Sequence, residues 1–110
     1  MNDPHFTGRI IKIEHQSFTS REDKTIPRMV LHLLTEEAKP QRLILRLSPN
    51  MTERLQALRP EEHRVIVTAY LFFRQFDYEV GDEVREGQEV CAWKLECTFE
   101  DTHQIYTIDR

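Results

Sequence analysis

Over residues 63–76 apolar side chains recur with the two-residue period of a pleated strand, and neither Gly nor Pro interrupts them. One row is Val65, Val67, Ala69, Leu71 and Phe73, wholly apolar and expected in the core. The other is Ile66, Thr68, Tyr70, Phe72, Arg74 and Phe76, where rings are mixed with a hydroxyl and a guanidinium. That second face is the one expected to carry function. Residues 77–89 hold two glycines and many carboxylates and are expected to form an exposed acidic hairpin loop. A further strand follows over 90–99, with Cys91, Trp93, Leu95, Cys97 and Phe99 on the core side and Lys94 and Glu96 opposite.

The chain before this hairpin completes the pattern. Residues 6–14 read as a strand, with Gly8 where a bent strand kinks or bulges. Residues 15–25 are polar and turn-rich. Residues 26–35 place Met29, Leu31 and Leu33 on one face and Arg28, Val30 and His32 on the other, and 41–47 place Leu43, Leu45 and Leu47 opposite Arg42, Ile44 and Arg46. Ser48 and Pro49 open a helix as N-cap and first helical residue. Met51, Leu55 and Leu58 give it one apolar stripe, with Thr52, Glu53, Gln56 and Arg59 toward water, and Pro60 ends it. Residues 104–108 in the tail add an edge strand or dock on another subunit.

Three strands, a helix and two more strands, with long connections after the first strand and between the last two, match an all-β, five-stranded OB-fold barrel plugged by one helix between strands 3 and 4. The competing layout is an open sheet carrying one helix. The barrel is favoured because every strand has an apolar face and the short helix is too small to cover them all.

At 110 residues the chain fits a single domain, with a core over about residues 6–100 and a short tail over 101–110. Its opening residues show no signal peptide, and its longest apolar run falls short of the ~20 residues a membrane helix needs. A soluble cytoplasmic protein is expected. The net charge of −4 is unevenly spread: twelve Lys and Arg against nine Asp and Glu through Phe76, then three against ten. A mildly basic body thus carries an acidic arm, whose simplest role is solubility. Cys91 and Cys97 are too far apart along one strand, ~20 Å, for a disulfide. With His103 they match no zinc spacing, and residues 77–89 match no calcium loop, so neither metal nor cofactor is expected. No nucleophile elbow, phosphate loop or acid–base constellation points to an enzyme.

The opening Gly8-Arg9-Ile10-Ile11-Lys12-Ile13, the polar segment from Phe18 to Lys24, Leu43-Ile44-Leu45 and Ala92-Trp93-Lys94-Leu95-Glu96 together resemble bacterial single-stranded DNA-binding proteins, and more closely small bacterial OB-fold proteins similar to them. The resemblance implies sequence-tolerant binding of single-stranded nucleic acid, DNA rather than RNA, in replication, repair or mobile-element maintenance, by a homo-oligomer. Two features depart from the family: the acidic segment after Phe76, and the lack of a long tail ending in acidic and aromatic residues. Strand binding without that recruiting arm is the expectation. Such binding needs cations along the phosphates and rings for bases to stack on. Arg28, Arg42, Arg46 and Arg74, with Arg21 and Lys24 in the first loop, supply the cations; Phe18, Tyr70, Phe72 and Phe76 supply the rings. Each ring has an alternative reading as core or subunit contact. In the alternative function, the aromatic face is an oligomer or partner interface of a protein-interaction module without nucleic-acid binding.

Overall fold

The computed structural model describes residues 4–110. Six strands, β1 (His5–Thr19), β2 (Thr25–Leu34), β3 (Arg42–Arg46), β4 (Val65–Val80), β5 (Glu83–Phe99) and β6 (Gln104–Asp109), form one antiparallel sheet in the order β3-β2-β1-β4-β5-β6. The fold is mainly β, with one α-helix, α1 (Pro49–Ala57), between β3 and β4 and a 3₁₀ turn at Pro60–Glu62. The expected five strands are therefore six. The sheet curls until β3 and β5 approach each other, but no ladder joins them among the described residues, so the barrel stays open on that side.

The long β1 makes the curl possible. Its first residues pair with β4, from His5↔Tyr70 to Arg9↔Ile66, while Arg9 onward pairs with β2. Gly8 sits at the crossing: a Cβ there would lie 3.0 Å from the Leu34 carbonyl carbon and oxygen, so any side chain would need that backbone to give way by a few tenths of an ångström. The bulge itself comes later, where Ile11 is the extra residue between Ile10↔Leu33 and Lys12↔His32.

Inside the curl, Met29, Leu31 and Leu33 of β2, Leu45 of β3, Val65, Val67 and Ala69 of β4, and Leu95, Cys97 and Phe99 of β5 form the core, with Ile108 of β6 added. The helix closes it. The Ser48 hydroxyl accepts from the Met51 N–H at 3.2 Å, and Pro49 occupies the first turn, as its sequence predicts. Met51 and Leu55 point inward. Thr52 does not face water as expected: it is buried, and its hydroxyl accepts from the Met29 N–H of β2 at 3.0 Å, tying helix to sheet.

Two expectations about the β4–β5 hairpin change. Residues 77–89 are not a loop: the ladder runs to Val80↔Glu83 and closes through Gly81 and Asp82, with Gly81 at φ +64°. The hairpin is a long arm that outruns the core, so Phe73, expected inside, is 61% exposed. In addition, Tyr70 pairs with Lys94 but Leu71 with Ala92, so Trp93 is an extra residue on β5. The slip turns Ala92 inward and leaves Trp93, expected in the core, 38% exposed. It also separates the cysteines: Cys97 is buried beside Val67, while Cys91 pairs with Phe72 on the part of the hairpin beyond the bulge, and both are free thiols.

Candidate nucleic-acid interface

On the face of β2 and β3 away from the core, in-register pairing aligns Val30 with Arg46 and His32 with Ile44. Arg28 stands two residues before Val30 in the same row, opposite Gln16 of β1. The β4–β5 arm bends over this face and adds Arg74, Phe76, Gln88, Glu89 and Val90. Between them lies an open hollow of about 520 Å³. A smaller hollow, lined by Gln16, Ser17 and Phe18 of β1, shares Arg28 and Arg46 with it. The two make one groove across β2 and β3, flanked by the β1–β2 hairpin on one side and the β4–β5 hairpin on the other.

The groove is cationic although the protein is acidic. Arg28 is anchored: its Nε donates to the Leu47 carbonyl at 3.0 Å, and its guanidinium lies 5.8 Å from the Phe18 ring centre. Burial lowers its pKa, with neighbouring Arg46 and Arg74 acting in the same direction and Glu89 opposing them. Arg46 and Arg74 form no salt bridge and no side-chain hydrogen bond among the described residues. Glu89, paired with Arg74 across the arm, is the one carboxylate lining the hollow among the described residues. Arg110, brought in by β6, lies 4.8 Å over the Phe72 ring. The Cys91 thiol has its pKa raised by burial and by Glu89, while the charges of Arg74, Arg110 and Arg28 pull it the other way.

Phe76 is held in a particular pose. The far end of its ring lies over Gly87, its partner on β5, where an added Cβ would come within 2.6 Å of the ring Cζ. Tyr78 continues the row, with ring centres 6.0 Å apart.

Of the residues expected to bind, Phe18, Arg28, Arg46, Arg74 and Phe76 line the groove and Phe72 lies next to it beneath Arg110. Four stand apart. Arg42 starts β3 opposite Leu34, beyond the groove lining. Arg21 and Lys24 lie in the turn between β1 and β2, and Lys24 pairs with Glu22 at 3.5 Å. Tyr70 donates its hydroxyl to Glu96 at 3.0 Å, a hydrogen bond that raises the phenol pKa, and its ring packs on Trp93. Sequence reasoning did not name Ile44, Val30, Glu89 or Arg110 as site residues. The first two alternate with Arg46 and Arg28 and were legible from that period; Arg110 depends on the β5–β6 register, which no local signal encodes.

No cluster of three or more His, Cys, Asp or Glu side chains placed to hold a metal occurs among the described residues, and no helix there is long and apolar enough to cross a membrane. No protein-family model and no curated protein matches the chain.

Proposed function

We propose that this chain is an OB-fold protein that binds single-stranded DNA across the β2–β3 face. The observation that carries the reading is the convergence of Arg28, Arg46 and Arg74 with Phe18 and Phe76 in one open groove, the charges of Arg46 and Arg74 unspent. The strand neighbours support the fold assignment: β1 beside β2 and β4, β2 beside β3, β4 beside β5, and a helix between β3 and β4. This is the OB connection with the barrel left open between β3 and β5 and a sixth strand added. In that fold the face of strands 2 and 3, between the two long hairpins, takes oligonucleotides.

The chemistry is sequence-tolerant. Guanidiniums meet phosphates and rings meet the π-faces of bases, which every base possesses. In a duplex those faces are buried by stacking, so the groove favours a single strand. Three arginines on a single strand give a salt dependence of about −0.7 each in log K against log salt, and hence about a twentyfold loss between 50 and 200 mM. Fluorescence anisotropy of a labelled thirty-nucleotide oligo-dT, beside a duplex of equal length, tests this. Salt-weakened binding that prefers the single strand supports the reading; equal binding to both, or none at low salt, overturns it.

A second reading rests on the other face of the arm. Phe73 and Val84 are 61% and 67% exposed there. That face suits a second copy of the chain or a protein partner. Analytical ultracentrifugation of wild type against Phe73→Ser separates a dimer held there from a monomer.

A further inference from the structure

The bulge in β5 creates a second aromatic and cationic patch outside the groove. Trp93, pushed out of the core row, packs on Tyr70 with ring centres 5.6 Å apart at 48°. Lys94 Nζ lies 4.8 Å from the Tyr70 ring centre and 6.0 Å from that of Trp93. His5 of β1 adds a third ring, 6.1 Å from Tyr70. The β4 strand joins this patch to the groove. Tyr70, Phe72, Arg74 and Phe76 alternate along one face, ~7 Å between successive members. Arg110 spans the middle: its backbone N–H donates to the Trp93 carbonyl at 3.0 Å while its guanidinium covers Phe72.

We infer that Trp93, Tyr70 and Lys94 form a second stacking subsite for the same nucleic-acid strand that fills the groove, reached over Phe72 and Arg110. The inference rests on the groove reading and extends its path. Its chemistry repeats what the groove uses: a half-exposed ring, a second ring behind it to fix its orientation, and a cation for the adjoining phosphate. Glu96 sits at the far side, accepting from Tyr70 and paired with Lys94 at 3.4 Å. It holds the phenol and the ammonium in place at the cost of some of Lys94's charge. The exposed flank of Trp93 is left for a base.

Trp93 is the sole tryptophan, so its emission reports on this subsite alone. The protein is titrated with oligo-dT of about six and about fifteen nucleotides, the range of site sizes found on such folds. Anisotropy of a 5′-label reports total binding and Trp93 fluorescence reports the patch. Both oligonucleotides should bind, and only the longer should quench Trp93. Trp93→Ala should weaken the longer by about five- to tenfold and leave the shorter unchanged, while Trp93→Phe should retain most of the affinity. If the longer oligonucleotide binds without quenching and Trp93→Ala binds it as wild type does, the subsite is overturned and the groove stands. If neither binds, the groove reading falls and the subsite with it.

Discussion

Replacing Gly87 by Ala tests whether the pose of Phe76 matters. The new Cβ would lie 2.6, 2.8 and 3.1 Å from Cζ, Cε2 and Cε1 of Phe76, inside van der Waals contact for all three, so the ring must leave its place over the strand. The fold has little reason to object. Phe76 is already more than one-third exposed, and the ring over Gly87 is a cross-strand pair of the kind worth about 0.2–1 kcal/mol. Ala in place of Gly recovers about 0.4–1 kcal/mol through a less flexible unfolded chain. The two offset, and the melting temperature should hardly move. Binding should move. A base stacked on a ring is worth about 1–3 kcal/mol, and at about 1.4 kcal/mol per tenfold this is a fivefold to more than hundredfold loss. Anisotropy with oligo-dT reads the loss and a thermal melt serves as control. Phe76→Ala should lose as much, and the double variant no more than either single one, because both remove one interaction. Wild-type affinity in Gly87→Ala, with the ring shown to be displaced, would refute a stacking role for Phe76. A collapse of the melting temperature would refute the stability argument.

Arg46→Ala and Arg74→Ala should each flatten the salt dependence of oligo-dT binding by about 0.7 in log–log slope, whereas Arg42→Ala, outside the groove lining, should leave it nearly unchanged. In acid, Asp101 and Glu14 accept hydrogen bonds from His63 at 2.7 Å and His32 at 2.8 Å, and these bonds hold both carboxyls below their ordinary pKa values of 3.8 and 4.5. The unfolded carboxyls take up protons first as pH falls, so the stability these pairs add is complete above about pH 5 and is lost through pH 4 and below. Asp101→Asn should make the acid limb of a melting-temperature profile shallower. Burial pushes the Cys97 thiol up to about 12, so a thiol reagent at pH 8 should leave Cys97 unmodified in the native protein and reach it only on unfolding. Modification of two thiols under native conditions, read by mass spectrometry, would contradict that placement.

Much of the fold was legible because local signals agreed with it. The alternation of Met29, Leu31 and Leu33 and of Leu45 and Leu47 put those residues in the core, and Ser48-Pro49 opened the helix where expected. The arm was misread through composition: its carboxylates and glycines resembled a loop, although Gly81-Asp82 is itself a two-residue hairpin signal. Trp93 was misplaced for a different reason. Alternation assigns faces only while the register holds, and a single extra residue reverses them. Which strand carries that residue is decided by how β4 and β5 pair, and nothing in either strand alone announces it. Phe73 shows the same limit, since its row is a core row only as far as Leu71, where the sheet stops covering it. Of the cations and rings singled out in the sequence, Arg28, Arg46, Arg74, Phe18 and Phe76 come together along one groove. Tyr70 and Arg42 met the same chemical description, but the curl of the sheet leaves both outside the groove.

Backbone amide chemical shifts of the ¹⁵N-labelled protein titrated with oligo-dT measure directly where a strand lies. Shifts should concentrate at Phe18, Arg28, Ile44, Arg46, Arg74, Phe76 and Glu89, while the amides of α1 and the 3₁₀ turn stay where they are. Perturbations centred on the helix side of the sheet, or none at low salt, would contradict the groove as the site of binding.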